Sequence, residues 1–66
     1  MEKIVTLKSG TTVFGYFHKD AVTALSTDGK KSEVVKALRK DLSDPVYGET
    51  AEALLFLIHT IGISEL

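Results

Sequence analysis

The sequence predicts a small α+β domain: an N-terminal β-hairpin or three-strand antiparallel meander followed by two helices packed on one face. Three observations carry that expectation. Residues 2–17 are dense in β-branched and aromatic side chains around a Ser9-Gly10 turn signal. Residues 31–42 and 45–61 switch to apolar spacings of three and four. The 66 residues leave room for one unit, so 1–66 reads as a single small domain.

The hairpin comes first. Ile4-Val5-Thr6-Leu7 and Thr11 to Phe17 suit a pleated, half-buried surface. Gly10 takes a positive φ without a Cβ clash. A two-residue Ser9-Gly10 loop sets Leu7 opposite Thr12, Val5 opposite Phe14 and Lys3 opposite Tyr16, which makes Val5 and Phe14 a core pair. Gly15 inside a strand implies a bulge or a close backbone approach.

Residues 18–29 admit two readings. Ala21 to Ser26 forms a third strand with Thr27-Asp28-Gly29 turning out of it, or a two-turn helix with Asp20 as N-cap and Gly29 at its end. The strand is preferred, because Val22, Thr23 and Thr27 are β-branched and a lone hairpin is marginal.

In the first helix, residues 31–42, Ser32 is the expected N-cap. Val34, Val35, Leu38 and Leu42 share one face, with Lys36, Arg39 and Lys40 opposite. The second, 45–61, has Asp44 as N-cap and Pro45 at the first helical position. Gly48 weakens its interior by about 1 kcal/mol, which moves the firm start toward Glu49 or Thr50. Gly62 is the expected left-handed stop. Tyr47, Ala51, Leu54, Ile58 and Ile61 form one seam, Ala53 and Leu57 a second apolar line, and Glu49, Glu52, Phe56 and His59 the remaining face. Glu65-Leu66 is expected to fray.

Composition narrows the function classes. With 44% hydrophobic residues and a net charge of -1, disorder is disfavoured. The longest apolar-rich stretch, Ala53 to Ile63, contains His59 and Thr60 and falls short of the ~20 residues of a membrane span. Ile4 to Leu7 is too brief for a secretory h-region, so a cytoplasmic location is expected. Cys, Asn, Gln and Trp are absent and Arg39 is the single arginine. That removes thiolate nucleophiles and the amides that read adenine edges. His18 and His59 are the general-base candidates near neutrality. His59 and Glu52 lie two turns apart on one helix, about 10 Å, too far for a direct hydrogen bond. No phosphate-binding loop, serine elbow or metal-ligand spacing occurs. The expectation is a non-enzyme with no cofactor, metal or small-molecule substrate.

Charge is segregated: residues 30–40 sum to +4 and residues 41–66 to -5, the latter without a lysine or arginine. The two segments can pair within the chain or across a dimer. Leu54 to Ile58 is apolar around the whole helix circumference, and such a helix needs cover on every side. Three strands and one helix cover one broad side of it. The surplus points to a protein partner, foremost a second copy, with Leu54, Leu55, Phe56, Ile58 and Ile61 as contact residues. The alternative is a small DNA-binding regulator using Lys31, Lys36, Arg39 and Lys40. Leu25, Gly29, Val35 and Leu38 have the spacing of a loose helix-turn-helix and resemble that motif over about twenty residues. The resemblance implies that Lys31, Ser32, Glu33 and Lys36 face the groove, and it requires 20–27 to be helical.

Overall fold

A computed structural model describes residues 1–66 as β1 (Glu2–Thr6), β2 (Thr12–His18), β3 (Ala21–Thr27), α1 (Lys31–Asp41), α2 (Gly48–Ile61) and β4 (Ser64–Glu65). The sheet order is β1-β2-β3-β4. The first three strands are antiparallel, while β4 runs parallel to β3, pairing Ser64 with Ser26 and Glu65 with Thr27. The fold is α+β, as expected. The preferred strand over 21–26 forms and runs one residue further, to Thr27, and the helical alternative with Asp20 as N-cap does not form.

The first hairpin differs from its expected register by one residue. The Leu7 N–H donates to the Thr11 carbonyl at 2.8 Å, and the Gly10 N–H donates back to the Leu7 carbonyl at 2.9 Å. The loop therefore holds three residues, Lys8-Ser9-Gly10, with Gly10 at φ 93°, the turn-plus-bulge form of a hairpin. Thr6 faces Thr12, Val5 faces Val13 and Lys3 faces Phe14. Val5 thus pairs with Val13, and the Val5–Phe14 core pair is not made. A one-residue slip sends side chains to opposite faces, so Val13 is fully buried while Phe14 lies on the far side of the sheet. The register shifts again at Ile4, where a bulge leaves that residue unpaired. Ile4 lies over Gly15: a Cβ added there would sit 2.6 Å from the Ile4 Cδ1. This is the close approach that a glycine inside a strand implies.

β2 and β3 are joined by Lys19-Asp20, both at positive φ (50° and 68°). A two-residue hairpin loop demands that conformation, and asparagine or glycine adopts it with less strain. Farther along, Thr23 bulges out of β3 between the Tyr16–Ala24 and Phe17–Val22 pairs, and its hydroxyl donates to the Tyr16 carbonyl at 3.2 Å.

Leu7, Val13 and Leu25 of the hairpins meet Val34, Leu38, Ala51, Leu54 and Ile58 of the helices in one core. Thr27 is fully buried among them without an unmet polar atom. Its hydroxyl donates to the Thr12 carbonyl at 2.8 Å and accepts the Gly29 N–H at 3.1 Å. Asp28 finishes this corner by accepting the Thr12 N–H at 2.8 Å.

The two helices begin differently from each other. α1 has Lys30 at its N-cap with no side-chain cap, so the Ser32 cap does not form. The Glu65 carboxylate takes the Lys31 N–H at 2.7 Å instead. It satisfies one of the free donors of the first turn and places negative charge at the positive end of the helix dipole. Glu65-Leu66 is consequently tied down rather than frayed, since the Leu66 N–H also donates to the Thr27 carbonyl at 2.8 Å. Ahead of α2, Asp44 accepts the N–H groups of Val46 and Tyr47 at 2.8 and 3.0 Å. Those bonds close a turn through Pro45, and α2 proper starts at Gly48. A side chain at 48 would put its Cβ 2.9 Å from the Leu42 carbonyl oxygen, so glycine lets α2 begin hard against the end of α1. Gly62 stops α2 at φ 79°.

Candidate interaction surface on the helix layer

α2 divides into lines by its 100° angular step. Ala51, Leu54 and Ile58 face inward and are buried. Leu54 and Ile58, at 3% and 7% exposure, are covered by their own chain, which corrects their assignment as partner contacts. They hold the helix in place and have little surface to offer. Leu55 and Leu57 are half-buried on the two flanks. Phe56 stands opposite the core line at 66% exposure, and Ile61 is 41% exposed. Glu49, Glu52, Ala53, His59 and Thr60 are exposed around Phe56. Thr60 spends its hydroxyl on the Phe56 carbonyl at 2.8 Å. Of the five residues expected to meet a partner, then, Phe56 and Ile61 are open, Leu55 is partly open, and two are core.

α1 buries Val34 and Leu38 and exposes Lys31, Lys36, Arg39 and Lys40. Between the helices runs a shallow groove lined by Lys31, Val35, Arg39, Leu42, Leu55, Ile58 and His59. Its floor is apolar and its rim cationic. A second recess on α1 is lined by Lys31, Ser32, Val35, Lys36, Arg39 and Glu65. No lysine or arginine side chain hydrogen-bonds to a carboxylate. The opposite charges of 30–40 and 41–66 are therefore not spent on each other through such bonds.

The helix-turn-helix reading loses its geometry. Leu25 is a buried residue of β3, so no first helix precedes α1. At the start of α1, where Lys31 and Ser32 were to meet a groove, Glu65 already occupies the Lys31 N–H and adds negative charge.

The fold perturbs the titration of Asp44. The N–H groups of Tyr47 and then Val46 hold its carboxyl below the ordinary aspartate range, with a smaller contribution from the charge of Lys8. That is capping chemistry, and it sits away from the groove. A cavity of about 100 Å³ lies between the first hairpin and the helix ends, lined mainly by Val5, Leu7, Leu38, Tyr47 and Ala51. No group of three or more His, Cys, Asp or Glu side chains converges on a point. No helix is long and apolar enough to cross a membrane.

The sheet adds exposed aromatics that sequence reasoning missed: Tyr16 at 47% and Phe17 at 45%. Register exposes Tyr16, whereas Phe17 lies on the Gly15 side of the strand. Tyr16 follows Phe14 onto the uncovered face, and the Thr23 bulge lies next to Phe17. For Tyr16, alternation within residues 11–17 carried the signal, and the misplaced turn hid it.

No protein-family model matches the chain, and no curated protein or solved structure is detectably similar to it.

Proposed function

We propose that this chain is a small non-enzymatic protein-interaction or regulatory module that forms a homodimer through the outward face of α2, acting in the cytoplasm. The observation that carries this reading is Phe56: a phenylalanine 66% exposed at the middle of a helix whose opposite face is already sealed. Aromatic side chains in such positions are typical anchors of protein interfaces. A second observation points the same way. The accessible surface is 4634 Å² for 7.2 kDa, about a tenth above the roughly 4,100 Å² usual for a monomer of this mass. Chains of this size commonly gain stability by assembling. At the start of α1 the Lys31 N–H is already taken by Glu65, while the side chains of Lys36, Arg39 and Lys40 stay exposed to answer a protein surface.

Light scattering across a dilution series tests the proposal, with a dimer expected at high micromolar concentration. Phe56→Asp is expected to halve the mass while the monomer keeps a cooperative melt, the position being exposed and away from the core, and to lose stability only at concentrations where the unmodified chain is dimeric. A strict monomer for the unmodified chain, or an unchanged mass for Phe56→Asp, overturns it.

A further inference from the structure

We infer that the second copy docks across the helix layer about a two-fold axis, with Phe56 of each chain seated in the α1–α2 groove of the other and Glu49 and Glu52 set against the cationic rim of that groove. The inference rests on the proposed self-association and specifies its mode.

Ridge and groove are both present on one chain. Glu49, Glu52 and Phe56 are exposed and spaced by three and four residues, so they form one stripe about 10 Å long on α2. The groove beside it offers Val35, Leu42 and Leu55 as an apolar floor under Lys31 and Arg39. The acidic stripe ends in an aromatic anchor, and the basic groove has a floor to receive one. Neither set of charges is used in a side-chain hydrogen bond to the other within the chain. Adjacency supplies the symmetry: Leu55 lines the groove and Phe56, the next residue, tops the ridge. Rotation by 180° then lays each ridge over the other copy's groove, and both contacts form at once. A standard interface covers about 800 Å² a side, roughly a sixth of this chain's 4634 Å². The outward faces of α1 and α2, the latter 14 residues long, span about 21 Å along the axis. In this arrangement Phe56 supplies most of the affinity, and the charge pairs set orientation and association rate.

Charge reversal tests the mode. Glu52→Lys and Arg39→Glu each place like charges at both symmetric contacts, and each is expected to weaken self-association on the order of tenfold. An equimolar mixture of the two restores opposite charges at both contacts, as does the double variant. Both are expected to return to within about threefold of the unmodified dissociation constant, read by analytical ultracentrifugation. Thermal melts monitored by circular dichroism confirm that each variant stays folded, since both positions are exposed. Dimers indifferent to either reversal, or weakened without rescue on mixing, overturn this docking mode while leaving self-association standing. An unmodified chain that stays monomeric overturns both.

Discussion

α1 and α2 lay their inner lines into the same core, yet they differ in how each begins and in what each shows to solvent. Asp44 prepares α2 from the residues immediately before it. Glu65, distant by 34 residues, completes the first turn of α1. Outside, α1 shows lysines and an arginine, while α2 sets Phe56 and Ile61 among exposed Glu49, Glu52 and His59. Charged side chains are stable in water by themselves, whereas exposed large apolar ones such as Phe56 gain from being covered. Two helices of one layer thus share a core and still differ in what completes them: α1 depends on a remote segment of its own chain, whereas α2 is prepared by the residues just before it and leaves Phe56 and Ile61 open.

The largest effect is expected from Ile58→Asp on the inner line of α2. Ile58 is 7% exposed, and an unpaired charge there costs on the order of 4 kcal/mol or more. A chain this small has a total stability of roughly 3–10 kcal/mol, so circular dichroism should show a severely lowered or absent cooperative melt. A normal melt means that the inner and outer lines of α2 have been exchanged. Next comes Glu65→Ala, which removes the remote cap of α1 and leaves α2 untouched. A loss of about 1 kcal/mol is expected in denaturant unfolding, with faster amide exchange confined to the first turn of α1. Equal acceleration in both helices erases the distinction between their starts.

The smallest effect concerns pH. The folded pKa of Asp44 is depressed by the Tyr47 and Val46 N–H groups. Its contribution is therefore fully present above the ordinary aspartate value of about 3.9. It is lost as pH falls through the lower folded value, where the unfolded chain binds the proton more readily. Asp44→Asn keeps an acceptor and removes the titration, so its acid unfolding profile should be flatter below about pH 4. A profile superimposable on that of the unmodified chain means Asp44 contributes no linked proton.

How much of this was legible in the sequence follows from how local each cause is. The hairpin, both helices, the Gly62 stop and the delayed start of α2 rest on near neighbours, and each could be read from its own stretch of residues. The register of β1 and β2 could not, because Lys8-Ser9-Gly10 and Ser9-Gly10 both place glycine where a loop needs it and differ by one residue. The turn after His18 was hidden because Lys19 and Asp20 adopt positive φ without the usual glycine or asparagine. β4 has two residues and owes its place to Thr27 and α1, so no periodicity announces it. On the candidate surface, the flanking Glu52 and His59 marked Phe56 as outward. The apolar run alone made Leu54 and Ile58 look equally available, although the 100° step turns them to the core.

The tie between Glu65 and Lys31 also bears on how the protein is made. A chain synthesised from its amino end presents α1 with a bare first turn until α2, the Gly62 bend and Glu65 have followed. Only then does the parallel strand dock on β3 and close the sheet–helix corner. The first turn of α1 therefore gains its carboxylate partner only after α2 has been made.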